Sequence, residues 1–369
     1  MKKNSTESNG EVQQQVIGLD LSDEASTYVV IACDTGEIVE EGSVYTTRAA
    51  MAKRFGSRPA ARVVIEAGSQ SAWVSRLLTD LGHEVIVANP RQVALIARSK
   101  HKSDRLDAIT LARLGRIDPA LLHPIKHRGK DAQLDLAMLR SRDFLVTERT
   151  RYVNHVRGVV KTFGESIPNC STEAFPARAE GVLAEDLREL VAPCLENIAT
   201  LTAQIKVLDD KVKRLADQKY SEALALKQIK GVGPIISLAF VLTIEEPERF
   251  SVSRDVPAYL GLTPGLRQSG ASNPQLHITK AGDAFLRKLL VQGAQYILGP
   301  FGEDCDLRRW GLKLCGQPEK GKNKVSQRAK KRAVTAVARK LAVLLHTLWR
   351  RGDPYEPLRY RQEVIAATG

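Results

Sequence analysis

Over roughly the first ninety residues the apolar positions come in short blocks, and beyond residue 103 they recur every three to four. The blocks predict strands over Gln15–Leu21, Thr27–Cys33, Ile38–Tyr45, Arg62–Glu66 and Glu84–Ala88. Asp34-Thr35-Gly36-Glu37 has the composition of a hairpin turn between the second and third. Helices are predicted around Arg48–Phe55, over Ala67–Leu81, briefly over Pro90–Arg98, and over Asp104–Arg116. The front of the chain is therefore α/β: three strands in hairpins, then helix and strand in alternation. Residues 1–13 are polar throughout and read as a disordered tail.

The remainder is predicted to be helical. Leu134–Phe163 is rich in arginine, and Gly164–Pro176 reads as a loop. A second long helix is predicted over Leu183–Gln218. Its apolar or small positions are Leu187, Val191, Cys194, Ile198, Leu201, Ile205, Leu208, Val212 and Leu215, in alternating steps of four and three. That is the seam of a coiled coil. Pro193 is expected to interrupt it, so that the firm portion starts near Leu195. The seam suits either a dimerisation arm, the reading favoured here, or a hairpin against Leu134–Phe163.

Farther on, Ala223–Ile229, the turn Lys-Gly-Val-Gly-Pro (230–234) and Ile235–Leu242 have the outline of a helix-hairpin-helix element. Gly231 and Gly233 would let backbone N–H groups approach a phosphate; an ordinary tight turn would look the same. Residues 259–270 lead through a polar loop to Ile278–Asp283, then to amphipathic helices over Ala284–Leu298 and residues 329–350. Gly and Pro on either side make Ser269 a loop residue, and no histidine is placed by sequence as its base.

Charge narrows the partner. The net charge is +13, with 24 Lys/Arg against 12 Asp/Glu in residues 223–369 and 31 against 30 in residues 1–222. A near-neutral front and a basic back, densest over Lys320–Arg332, suggest that the back holds a polyanion. The longest near-apolar run, Val232–Ile244, is too short for a membrane span and contains Gly233 and Pro234. Lys2 and Lys3 precede polar residues, not the apolar stretch of a signal peptide. Five cysteines, at 33, 170, 194, 305 and 315, form no CxxC pair. These features are those of a cytoplasmic protein with reduced thiols and no structural zinc.

Four acids carry the candidate chemistry. Asp20 and Glu66 fall inside apolar strands, where a carboxylate is costly unless paired or bound to a metal. Asp104 and Asp107, three apart at the head of a helix, leave one helix face. The strand order is that of a ribonuclease-H-like fold, in which the first and fourth strands lie side by side. The helix would then bring all four acids together as ligands for Mg2+ or Mn2+. The alternative is four acids that cap helices or face solvent.

These residues also carry a resemblance. Gly-Leu-Asp (18–20), Ile-Glu-Ala-Gly (65–68) and Lys-Ser-Asp-Arg-Leu-Asp-Ala (102–108) resemble the DEDD-type, RuvC-like domain of the insertion sequence 110 family of transposases, to which pilin-gene invertases are related. Gly-Val-Gly-Pro, Gly-Leu-Thr-Pro, Gln-Ser-Gly, Ile-Thr-Lys-Ala-Gly-Asp and Leu-Arg-Lys-Leu-Leu resemble that family's second domain. The resemblance covers about residues 14–358. It implies a RuvC-like domain over 14–125, a helical coiled-coil spacer over 126–221, a transposase domain with helix-hairpin-helix element over 222–352, and tails over 1–13 and 353–369. It further implies a recombinase whose nucleophile is Ser269, with Mg2+ on Asp20, Glu66, Asp104 and Asp107. Ala271-Ser272-Asn273 departs from the family's usual Gly and Lys after the serine, which leaves Ser272 as a second candidate. Lys230, Gly231, Gly233, Arg267, Lys280, Arg287 and Lys288 are the expected nucleic-acid contacts. The expected partners are donor and target DNA, a structured RNA encoded by the element, and a second copy of the chain. A RuvC-like junction resolvase or nuclease without serine catalysis is the alternative.

Overall fold

Strand β1 (Gln15–Asp20) is buried from Val16 to Leu19, because both of its faces are covered. It is the middle strand of a five-stranded mixed sheet in the order β3-β2-β1-β4-β5. The others are β2 (Ala25–Ala32), β3 (Ile38–Tyr45), β4 (Arg62–Glu66) and β5 (Glu84–Ala88). β2 pairs antiparallel with β1 and β3, while β1–β4 and β4–β5 are parallel. β3 is an edge strand, exposed or half-buried apart from Val44, and its Glu40 and Glu41 put charge where another strand could otherwise add. The computed structural model describes residues 14–91, 93, 103–270, 272–274, 276–316 and 325–359. The tail over 1–13 and most of the helix expected over Pro90–Arg98 lie outside them. The chain divides into two units between Arg128 and Gly129.

In the first unit, Ile17, Leu19, Val63 and Ile65 face helices α1 (Arg48–Phe55) and α2 (Ser71–Asp80). The opposite parity, Val16 and Val64 with Ile86 and Ala88 of β5, faces helix α3 (Asp104–Ile117). α2 starts at Ser71, four residues later than the pattern suggests. Gly68 and Ser71 form a closed turn there, with the Gly68 N–H donating to Ser71 Oγ at 2.9 Å.

Two glycines let α3 lie directly on the sheet. A Cβ on Gly18 would collide with the carbonyl oxygen of Ala108 and fall 2.6 Å from the Ala112 nitrogen. One on Gly115 would collide with Val64. The far end of α3 is tied down by Arg62, which donates to Gly115 O at 3.0 Å, and by Arg116, which donates to Cys33 O and Asp34 O at 2.8 and 2.9 Å.

The second unit is helical: α4 (Lys130–Thr162), α5 (Phe175–Glu180), α6 (Glu185–Arg214), α7 (Ser221–Leu226), α8 (Pro234–Ile244), α9 (Val256–Tyr259), α10 (Ala284–Leu298), α11 (Asp306–Cys315) and α12 (Gln327–Arg351). α8 is buried from Ser237 to Ile244, as befits a helix apolar on every side. It shares one core with α10 and α12, through residues such as Leu238, Phe240, Leu290 and Leu341.

A second core joins Val153, Val156 and Val160 of α4 to Leu187, Val191, Leu195 and Ile198 of α6. The seam favoured above as a dimerisation arm is thus closed within one chain, against α4. Ile205 and Val212 farther along it are 3% and 1% exposed. Nor does Pro193 interrupt the helix, which runs unbroken from Glu185 to Arg214. The buried Leu187 and Val191 hold the turns before Pro193, and Asn197 Nδ2 donates to the proline's carbonyl at 2.8 Å.

Two expectations follow from this packing. Gly18→Ala should destabilise the first unit by roughly 2–3 kcal/mol, since the added methyl meets backbone that cannot rotate away; thermal unfolding measures it, and a neutral result would refute the close approach. Ile205→Asp should cost about 3–5 kcal/mol by burying an unpaired charge in a hairpin complete within one chain. Its lowered melting temperature should not depend on protein concentration.

Candidate active site

Asp20 and Glu66 are the last residues of two adjacent parallel strands. Leu19 pairs with Ile65, so the two acids stand next in register at the carboxyl end of the sheet. They lie two residues beyond Gly18 and Val64, and strand alternation turns them toward the face that α3 covers. Both are half-buried.

α3 runs antiparallel to β1, with Gly115 over Val16 and Val64, and Ala108 over Gly18. Its first turn therefore comes to the end of the sheet where the two acids stand. Asp104 and Asp107 continue the sheet-facing stripe of Ala108, Leu111 and Gly115 beyond the last buried turn. Asp107 is half-buried and Asp104 exposed. The helix starts here because Ser103 caps it, its hydroxyl accepting from Leu106 N at 3.3 Å, and because acids in a first turn suit the helix dipole. Lys102 of the motif lies outside the described residues.

The donor set is all carboxylate, which suits a hard divalent cation. The side chains are not drawn into a ligand shell: among the described residues, no three His, Cys, Asp or Glu could hold one metal ion. The fold thus brings the four acids to one end of the sheet without closing them on a single point.

Ser269 lies in the second unit, at the tip of a β-hairpin that the hydropathy pattern marks only as a polar loop. Thr279 N donates to Thr263 O and Gly265 N to His277 O, both at 2.9 Å, and Pro264 pairs with Ile278. At the tip Ser269 and Ser272 exchange both backbone hydrogen bonds, at 3.1 and 3.0 Å. Gly270 turns the chain with φ of +53°. In such a pair the two side chains stand on the same face, and both serines are exposed. Between the pairings the second arm has one residue more than the first. Ala271 is outside the described residues.

The hairpin's base is rigid. Gly261, at φ of +65°, packs against the backbone of Lys280 and Ala281, and a Cβ on Gly282 would collide with Tyr259 O. Arg287 donates to Leu260 O at 2.9 Å and Gly282 O at 3.3 Å, while Asp283 caps α10 through Leu286 N and pairs with Arg140 at 2.7 Å. The Gly-Leu-Thr-Pro and Ile-Thr-Lys-Ala-Gly-Asp segments are the two legs of this one structure. The sequence reading missed this structural role; the glycines of the two segments were its available signal.

The expected nucleic-acid contacts are differently placed. Arg267 and Lys280 are exposed, on or beside the hairpin. Arg287 is engaged with the two carbonyls just named, and Lys288 pairs with Asp143 at 2.7 Å. Lys230 is exposed and pairs with Glu303 at 3.2 Å. A Cβ on Gly231 (φ +96°) would press on Ile297 and Tyr296 of α10, whereas one on Gly233 would enter open space. Gly231 serves close packing; Gly233, before α8, has open space where a side chain would stand.

Comparison with known proteins places both parts in one family. Residues 17–164 match a transposase profile of the DEDD, IS110 type, and residues 223–301 match the "Transposase IS116/IS110/IS902 family" profile. The first match contains all four acids and the second contains Ser269. The chain is 31% identical to a "Putative transposase y4pF/y4sB" of Sinorhizobium fredii over 317 residues, 84% of this chain and 78% of that protein. It is 28% identical to a "Probable family 20 transposase" of Pseudomonas aeruginosa, covering 84% and 90% of the two chains. With the "Transposase for insertion sequence element IS1111A" of Coxiella burnetii it shares 26% identity over 86% of each. Among the described residues no helix is long and apolar enough to cross a membrane. The chain belongs to the IS110 family of insertion-sequence transposases.

Proposed function

We propose that this transposase cuts and rejoins DNA with Ser269 as nucleophile and the four carboxylates as a divalent-cation site. The observation that carries the reading is the convergence of Asp20, Glu66, Asp104 and Asp107 on the carboxyl end of the sheet, with an exposed serine on a separately braced hairpin. The strand order and α3 support a RuvC-like, ribonuclease-H-like first domain, and the turn before α8 supports a helix-hairpin-helix grip on the phosphate backbone.

In this reading Asp20 and Glu66, fixed by the strands, and Asp104 and Asp107, fixed by the first turn of α3, would hold Mg2+ or Mn2+. When bound, the ion supplies positive charge against the phosphoryl oxygens of the transition state. Ser269 Oγ gives up its proton and forms a bond to phosphorus. The bond from phosphorus to the departing deoxyribose oxygen breaks, and that oxygen leaves as a hydroxyl. The strand end is then held as a phosphoserine, and attack by the hydroxyl of another strand reverses the step and completes exchange. Ser269 stands at an exposed tip, and the group that takes its proton would come from the assembled protein–nucleic-acid complex. Resemblance to the family supports a guide RNA whose base pairing reads sequence while the protein holds backbone, and a dimer or higher assembly.

Asp104→Asn should lower strand exchange by roughly a hundredfold or more, the scale for losing one electrostatic partner of a transition state. The protein should stay folded, and a plasmid recombination assay reads the loss; wild-type activity would sink the carboxylate assignment.

Ser269→Ala removes one oxygen and little volume. On a denaturing gel with end-labelled substrate, Mg2+ and the cognate RNA, it should abolish a covalent protein–DNA adduct that Ser272→Ala retains. An adduct surviving in Ser269→Ala would leave a nuclease acting through the acids alone as the better account. Chelating the divalent ion should stop cleavage and leave nucleic-acid binding.

A further inference from the structure

The cations of α12 are arranged unlike those of the other helices in the second unit. The helix carries eight Lys/Arg and no Asp or Glu. Arg328, Lys331, Arg332, Thr335 and Arg339 follow the helical repeat and share one face, with all four cations exposed. The opposite side, including Ala333, Val337 and Leu341, is buried in the core, so the stripe is held in place.

Elsewhere in this unit Arg140, Arg142, Lys219, Lys227, Lys288 and Arg309 pair with carboxylates. Lys211, Lys213 and Arg214 sit in the last turn of α6, where the helix dipole favours them. The α12 stripe has neither compensation. Among the described residues, no acid lies within ion-pairing distance of Arg328, Lys331, Arg332 or Arg339. Three of the four also crowd the amino-terminal end of the helix, where the dipole and their mutual repulsion oppose them. Charges that work against the fold point outward, to a polyanion.

We infer that this face of α12 is a seat for the phosphate backbone of nucleic acid, built from residues that belong to neither the carboxylate set nor the Ser269 hairpin. From Arg328 to Arg339 the stripe is about 16 Å long, enough to follow several phosphates on a strand carrying one every ~3.4 Å of duplex axis. Its contacts are with backbone, so it positions a duplex or a structured RNA without reading sequence. The inference rests on the family's work on DNA and not on Ser269 or the acids, so equilibrium binding tests it without any strand cleavage.

The experiment compares full-length protein with a fourfold Arg328→Gln, Lys331→Gln, Arg332→Gln, Arg339→Gln variant. A control neutralises Lys206, Lys211, Lys213 and Arg214 of α6 in the same way. Affinity for a random-sequence DNA duplex, and separately for a structured RNA from the DNA flanking the gene, is measured from 50 to 200 mM salt. Four lost contacts on duplex DNA should reduce the slope of log affinity against log salt by about 3.6, so wild type should lose roughly a hundredfold more affinity across that range than the variant. A reduction with DNA alone identifies a DNA seat, and one with RNA alone, nearer 2.8 for unpaired strands, an RNA seat. The control should keep the wild-type slope, and the α12 variant should melt at or above the wild-type temperature. Unchanged slopes with both ligands would overturn the inference. So would an equal change in the control, or a clear fall in melting temperature.

Discussion

The placement of the acids depends on the absence of two side chains. With any residue but glycine at 18 and 115, α3 would have to ride higher on the sheet or shift along it. Its first turn would then no longer stand beside the ends of β1 and β4. The contact is steric and therefore unforgiving: backbone meets backbone at Gly18 and Ala108, and no rotamer change relieves it. Arg62 and Arg116 fasten the other end of the helix by donating to carbonyl oxygens. The position of Asp104 and Asp107 is thus set by contacts one to three turns away from them.

The second unit solves a different problem, which is to keep a strongly basic chain folded. Several of its helical cations are met by acids from neighbouring helices, as with Arg142 and Asp209 or Lys288 and Asp143. Such pairs are partly exposed and individually modest, but each also neutralises a charge that would otherwise repel its neighbours. Against that background an unneutralised stripe stands out as a choice the fold did not require.

Much of this was legible in the sequence, and the reasons for success and failure are physical. The inner strands were legible because a sheet covered on both faces needs blocks of consecutive apolar residues, and the exposed β3 from the turn before it; Asp20 and Glu66 were conspicuous among those blocks. The position of α3 was legible from Ser103 and the two aspartates, but its depth on the sheet was not. That depth follows from which glycine opposes which backbone atom, a matter of tertiary register. The stripe on α6 was correctly read, and its partner was not, because a heptad pattern specifies a packing face without saying which helix fills it. The hairpin over 263–279 escaped because it is held by a few backbone pairs at its base and tip, with no apolar alternation to announce strands. α11 escaped as well; its buried contribution is little more than Leu307 and Gly311. Pro193 misled because a missing N–H is tolerable where buried neighbours hold the turn.

The braced base and open tip of that hairpin have a mechanical consequence. From Thr263 to Ser269 an extended arm spans about 20 Å, while its root is clamped by Gly261, Gly282 and Arg287 against the start of α10. With the root held, a small bend along the arms is magnified into a displacement of several ångströms at the hydroxyl, with no helix of the core repacked. A hydroxyl mounted this way can move at little cost to the stability of the domain that carries it.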